Sequence, residues 1–479
     1  MLRPFPNGCT TAMACCCTVL LMLCLGCGGA SSHTTITSPP PPVVTPAPVG
    51  GIQPSFFGFQ CGTGAGSCPN ETWPSSVAQP GTLRLWDSGT NWNDIETSVG
   101  QYNFATLDGW LDTIAAQNKV SVWATPVNVI LTFGFVACVE ASNTNTSSPK
   151  GCVYPPSDLP SWSGAGSVPS SAPCGQPGSC AFNNFVTAVV THCSPAGNCV
   201  KDLIKNYEMW NEPNNASFWH ENTPGGPGEM EIYQMAYGAV PIIRQNVPKA
   251  VIMTMASTVD VDYTKAWLNI ENQYPPASGG TLSDVLVWHQ YLNVSTSEVA
   301  PDDPSNVSRL NAMLAAKAAV SGWATKPWRI TETGFQAYTP PYNCTAFSAA
   351  DCIGQMVRWQ LMVLSGNADG LDWYSWNKNI GSQPNYAEAW SFMMKNLLGG
   401  TFSSPCSGAN NGTWTCSFTE TSGKNAQWVW TINSSGSYSV PSGYSSYTAF
   451  NVSSSTPTTT PVSTGQSINI STMPLMLEQ

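Results

Sequence analysis

Short runs of apolar and aromatic residues recur from about residue 52 to 398, separated by longer stretches with apolar positions at helical spacing. Seven of these runs predict strands directly: Ser55–Phe59, Thr82–Trp86, Asn206–Trp210, Val251–Met255, Val285–His289, Trp328–Thr331 and Leu371–Trp376. Two β-prone stretches, Val120–Ala124 and Asn128–Phe133, compete for one further place after Trp86, and the second is the better fit. Helical patterning covers Leu107–Gln117, Phe182–His192, Met230–Asn246, Ser308–Ser321, Ala349–Leu364 and Ala387–Leu397. Short, nearly continuous apolar strands are what burial on both faces produces. Alternating with helices, they predict an α/β fold of eight βα units, the (β/α)8 or TIM barrel.

After Gly399-Gly400 the pattern changes to alternation rich in Thr, Ser, Trp and Val, as in Ala426-Gln427-Trp428-Val429-Trp430-Thr431-Ile432. Residues 399–479 therefore predict a small antiparallel, β-sandwich-like domain of seven or so strands, closed by Ser467–Ser471. It reads either as a sugar-binding accessory module or as a structural cap on the barrel. The cap is preferred, because no cluster of exposed aromatics is evident.

The front of the chain is not barrel material. Residues 1–30 pair a basic Arg3 with the apolar run Ala12 to Leu25 and small residues beyond, the pattern of a signal peptide. Leu25-Gly26-Cys27 resembles a lipoprotein cleavage site, which would make Cys27 a lipidated membrane tether; plain secretion is the alternative. Residues 31–51, with Pro39-Pro40-Pro41-Pro42, form an extended linker. The protein is thus expected to be secreted or at the cell surface.

Composition narrows the partners. A net charge of −11 and charged residues at only 9% argue against nucleic acid. Twelve cysteines follow the leader as close neighbours: Cys61/Cys68, Cys138/Cys152, Cys174/Cys180, Cys193/Cys199, Cys344/Cys352 and Cys406/Cys416. An even count at short separations outside the cytosol reads as local disulfides pinning loops. His192 beside Cys193 and Cys199 hints at zinc, but no second ligand pair has metal-site spacing, so no metal is expected.

The chemistry lies at two strand ends. Tyr207-Glu208-Met209-Trp210-Asn211-Glu212-Pro213-Asn214 delivers Glu212 to the end of strand four, and Trp328-Arg329-Ile330-Thr331-Glu332-Thr333-Gly334 delivers Glu332 to the end of strand seven. Barrel active sites are built at those carboxyl ends. Two carboxylates face to face are what glycosidic-bond cleavage needs: one protonates the leaving oxygen, the other attacks the sugar carbon or activates water. By strand alternation Glu208 shares a side with Trp210 and Glu212, a supporting rather than catalytic place. The loop from about 134 to 180, with four cysteines, is long enough to wall the cleft.

Strand four ending in Asn-Glu-Pro with a second Glu ending strand seven is similar to the clan A glycoside hydrolases. Within them, Trp210-Asn211-Glu212-Pro213-Asn214 followed by Phe218-Trp219, and Leu83-Arg84-Leu85-Trp86, resemble the family 39 β-xylosidases and relatives, although Thr-Glu-Thr-Gly departs from the Thr-Glu-Trp often seen there. The resemblance implies a retaining β-glycosidase with Glu212 as acid/base and Glu332 as nucleophile. It implies Arg84 as the partner of Glu332. Position adds the rest: Asn211 precedes the acid, His289 and Tyr291 end strand six, Trp376 ends strand eight, and Trp219 and His220 follow strand four, all placed to line the sugar site. No cofactor is implied. A transglycosidase with the same site, or a non-catalytic carbohydrate-binding surface protein, are the alternatives; the latter commonly loses one carboxylate.

Overall fold

A computed structural model describes residues 51–60, 79–121, 125–144, 151–159, 180–276, 278–294, 297–298, 300–335, 349–374 and 384–479, all within one compact unit, Ser38–Gln479. The leader, most of the linker, and the pairs Cys61/Cys68, Cys174/Cys180 and Cys344/Cys352 lie wholly or partly outside the described residues, as does Trp376. The pairs Cys138–Cys152, Cys193–Cys199 and Cys406–Cys416 are disulfides. That uses up the two thiols beside His192, whose ring instead stacks on Phe104 and contacts Asp108.

The barrel forms from a nine-stranded sheet. Strands one to four are Phe57–Gln60, Thr82–Leu85, Asn128–Thr132 and Asn206–Glu208; strands six to eight are Leu286–His289, Trp328–Thr333 and Gly370–Tyr374. Strand five is broken into Val251–Met253 and Ser257–Thr258, and these two pieces are the two ends of the sheet, so the sheet closes on itself. A bridge between Met253 and Val285, with Thr254 N donating to Val285 O at 3.0 Å, seals the join. Every barrel pairing is parallel. The third place went to Asn128–Thr132, while Val120 ends the preceding helix. Among the described residues three α-helices escaped the sequence reading: the single turns Trp92–Ile95 and Val200–Leu203, and the longer Val261–Gln273, whose Asp260 side chain caps Tyr263 N. The last is the informative one. It buries Tyr263, Trp267, Leu268 and Ile270 but is otherwise polar, so its periodicity is diluted.

Helices cover the outer face of the barrel, packing rings such as Trp288 and Trp328, which stack at 4.9 Å. The interior is mixed. Ile130, Met253, Val285 and Val287 form an apolar cluster, while Arg84, Glu208, Arg329 and Asp372 are all fully buried. Room for the lower charged pair comes from missing side chains: a Cβ on Gly58 would lie 1.6 Å from Asp372, and one on Gly370 only 1.7 Å from Arg329.

Beyond Gly400 nine short strands follow. Seven form one antiparallel sheet, and Gly436–Ser439 pairs with Ser467–Ile470 as a separate two-stranded ribbon. The last strand is Leu475–Glu478 rather than Ser467–Ser471, and it inserts centrally between Asn425–Thr431 and Ser446–Asn451. One face of the sheet joins the barrel core through Trp428 and Phe450, which meet Phe392 of helix Pro384–Leu397 at 6.0 and 5.8 Å. Trp430 Nε1 donates to Asp302 at 2.7 Å, and Arg358 holds that carboxylate with bonds of 2.9 and 2.7 Å. This seam packs the domain continuously against the barrel.

Candidate active site

Two local irregularities bring the carboxylates together. On strand seven, Ile330 pairs with Trp288 but Glu332 pairs with the very next residue, His289. The extra residue is a β-bulge at Thr331. Regular alternation would send Arg329 and Glu332 to opposite faces; the bulge lets both enter the interior. On strand four the ladder stops at Glu208, and Glu212 adopts a left-handed backbone with φ 44°. For a non-glycine residue before a proline that conformation is strained by about 1–2 kcal/mol. It is held by Glu212 N donating to Ala256 O at 2.6 Å and Ala256 N to Trp210 O at 2.8 Å. The break also separates residues that alternation would keep on one side. Glu208 enters the interior, while Trp210 packs outward against Phe182 and Trp219.

Arg84 organises the interior mouth. Its guanidinium donates to both oxygens of Glu208, to Gln60 Oε1 and Glu332 Oε2 at 2.8 Å each, and to Asn211 Oδ1 at 2.8 Å. With its amide oxygen committed to Arg84, Asn211 presents its NH2 as the donating end. Burial works against the Arg84 charge, but Glu208 and Glu332 outweigh it and raise its pKa above the ordinary arginine value. Tyr291 donates its hydroxyl to the other oxygen of Glu332. His289 Nδ1 lies 2.7 Å from Glu212 Oε1 and 3.8 Å from Glu332 Oε2. One oxygen of each glutamate and a nitrogen of His289 all fall within 4.8 Å of one another.

Both glutamates are buried yet reachable, at 8% and 7% exposure for Glu212 and Glu332. Burial pushes the Glu332 carboxyl above its ordinary range and Glu212 pushes it further, while His289, Arg84 and the Tyr291 hydroxyl pull it back.

Glu212, His289 and Glu332 have the makings of a metal ligand set, but the donors around them do not fit a cation. Both Glu332 oxygens already accept from Arg84 and Tyr291, and a guanidinium 2.8 Å away repels a divalent ion. The arrangement suits two carboxylates of different duty.

One expected sugar contact is corrected. Trp219 has no exposed surface, because it packs edge-on against Trp210 at 5.0 Å and Gly228 presses on its indole edge. It supports the loop and offers no ring face. Its neighbour His220 stacks on Tyr154 at 4.8 Å and donates its backbone N–H to Val153 O at 2.9 Å, tying the strand-four loop to the strand-three loop. Sequence reasoning missed Tyr374 and Asp87, joined by a 3.1 Å bond, with the Tyr374 ring edge-on to Tyr291. Their signal was positional, since Asp87 follows strand two and Tyr374 ends strand eight.

In fold, the chain is similar to solved glycoside hydrolases. A glucosidase from Croceicoccus marinus superposes with a TM-score of 0.54 at 12% identity, over 90% of this chain and 96% of that one. A family 44 endoglucanase from Clostridium thermocellum gives 0.51 at 14%, over 90% and 97%. The catalytic domain of a family 30 xylanase from Talaromyces cellulolyticus gives 0.52 at 12%, over 92% and 99%. No protein-family model matches the chain, and no curated protein matches it in sequence. Likeness at this identity establishes the barrel and β domain, and leaves the chemistry to the site.

Proposed function

We propose that this protein is a retaining glycoside hydrolase that cleaves β-linked oligo- or polysaccharides outside the cytosol. The observation that carries the reading is the pair of glutamates at the strand-four and strand-seven exits, with an oxygen of each within 4.8 Å. Retaining glycosidases hold their carboxyls about 5–5.5 Å apart, too close for an intervening water, whereas inverting enzymes need about 6.5–9.5 Å. Glu332, oriented by Arg84 and Tyr291, attacks the anomeric carbon as the leaving-group bond breaks, giving a glycosyl-enzyme. Glu212 protonates the leaving oxygen and then takes a proton from the water that releases the sugar. Having given its proton to the leaving group in the first step, Glu212 is ionised in the glycosyl-enzyme and so is ready to act as the base of the second. Asn211 donates to the sugar 2-hydroxyl, and His289 orients Glu212 through Nδ1. Trp376, two residues after Tyr374 in the sequence, is assigned the stacking face for the sugar. The motif around Glu212 favours relatives of the family 39 β-xylosidases. A signal peptide over residues 1–30, a linker over 31–51, a barrel over 52–398 and a β domain over 399–479 complete the proposed organisation.

The test is incubation with a panel of activated 2-deoxy-2-fluoro glycosides, then intact-mass measurement and peptide mapping. A stable adduct on Glu332, lost together with turnover in Glu332→Gln, is the expected result. Folded wild-type protein that hydrolyses an aryl glycoside but never carries an adduct on Glu332 would remove the nucleophile assignment. Hydrolysis of no glycoside at all would favour a binding protein on this scaffold.

A further inference from the structure

The face of the β domain opposite the barrel carries a trough of about 370 Å³. Its floor is Thr413 and Thr415, which alternate with the barrel-facing Trp414 and Cys416 along one strand. One wall is the turn-side strand Ser407–Gly408 with Asn411; the other is Ser437, Tyr438 and Ser439 on the edge of the two-stranded ribbon. The ribbon covers the apolar part of this face, where Val429, Leu475 and Leu477 meet Val440, Ile468 and Ile470. It stops short of the threonine strip. Tyr438 is fixed across the gap, its hydroxyl donating to Gln427 Oε1 at 2.8 Å, so its ring stands as a rigid half-buried wall.

We propose that this trough is a second carbohydrate-binding site, for a neutral polysaccharide chain, distinct from the hydrolytic cleft. No lining residue is charged, which disfavours uronic acids, phosphates and peptide charges and suits an uncharged polyol. The hydroxyls of Thr413, Thr415 and Ser407 both donate and accept, as a sugar's own hydroxyls do, and the Asn411 NH2 donates beside them, its Oδ1 already accepting from Thr413 N at 3.0 Å. The Tyr438 ring supplies the apolar surface that the axial C–H face of a sugar needs. The volume lies within the range of small-ligand sites, about 300–1,000 Å³. On the reading of the barrel as a glycosidase, such a site would hold the enzyme on its polymer between cleavage events.

The experiment is depletion of full-length protein from solution by insoluble neutral polysaccharides (cellulose, xylan, mannan), with carboxylated polygalacturonan as the charged control. The active-site variant Glu332→Gln serves as background, so that no polymer is consumed. Two further variants on that background, Tyr438→Ala and Thr415→Lys, remove the ring or fill the trough independently. Each is expected to lose at least tenfold in retention on one neutral polymer, and to leave aryl-glycoside turnover unchanged when made in the wild-type background. Unaltered retention in both folded variants, retention on none of the neutral polymers, or tighter retention on the charged one would overturn the proposal. Retention that depends on Tyr438 in a protein without hydrolytic activity would keep this site and sink the proposed function instead.

Discussion

Two buried arginines, one layer apart in the same barrel, meet opposite fates. Arg329 holds a single carboxylate, with Nε and Nη2 both 2.6 Å from Asp372, and all four side-chain ends are sealed from solvent. Arg84 serves Glu208 and Glu332 together, with Glu212 close by, so the upper layer has one cation for three carboxyls. The lower pair is neutral as a unit and sealed from the cleft, which gives it a structural part. The upper layer gathers three carboxyls around one guanidinium at a cleft mouth, and there burial, with Glu212 beside it, holds the Glu332 carboxyl above its ordinary range. On the proposed mechanism it is this incomplete ion pairing, rather than burial alone, that makes the upper layer the reactive one.

The sharpest way to break that comparison is to remove a carboxyl from the upper layer. Glu212→Ala should lower turnover of alkyl glycosides and natural oligosaccharides by about 10²–10⁴-fold. Aryl glycosides with good leaving groups should retain much of their first-step rate, because they depart without a proton. Azide should then restore turnover and give a glycosyl azide of retained configuration. An equal loss for good and poor leaving groups would show that Glu212 is not the acid.

The lower layer should respond in stability instead. Arg329→Met strands the Asp372 charge in the barrel interior and should cost about 3–5 kcal/mol in chemical denaturation. Arg329→Met combined with Asp372→Leu removes both charges and should recover most of that loss. Neither variant should alter the leaving-group dependence of turnover. A double variant no more stable than the single one would mean that the pair is worth more than its mutual neutralisation.

Much of this contrast was open to the sequence and part of it was not. The strand-forming runs and the strand-end placement of Glu212 and Glu332 follow from apolar patterning alone, because doubly buried strands can be little else. Asp372 and Arg329 had a readable signal too: a charge between two large apolar residues, in Trp328-Arg329-Ile330 and Leu371-Asp372-Trp373, beside Gly58 and Gly370. What alternation cannot give is the place where alternation fails. The bulge at Thr331 and the left-handed turn at Glu212 decide which side chains share the interior, and both arise from tertiary pairing with His289 and Ala256. Trp219 illustrates the same limit. An aromatic in a cleft loop has the same letters whether it faces sugar or, as here, packs against Trp210.

The finest test acts on one hydrogen bond of the upper layer. Tyr291 donates to Glu332, and that bond lowers a carboxyl pKa already raised by burial and by Glu212. On the proposed mechanism Glu332 attacks as the carboxylate and must be ionised in the free enzyme, so its pKa sets the acidic limb of kcat/KM. That limb should lie above the ordinary glutamate value in the wild type. Tyr291→Phe removes a stabiliser of the charged form, so the Glu332 pKa rises and the limb moves to still higher pH. Below the limb the variant should be slower by about tenfold for each pH unit of displacement, and on the plateau the two enzymes should converge to within about tenfold. Tyr291→Phe in the lower-layer double variant should shift the limb by the same amount, since the layers share no hydrogen bond. A limb that stays in place, or moves to lower pH, would mean that Tyr291 orients Glu332 without setting its charge.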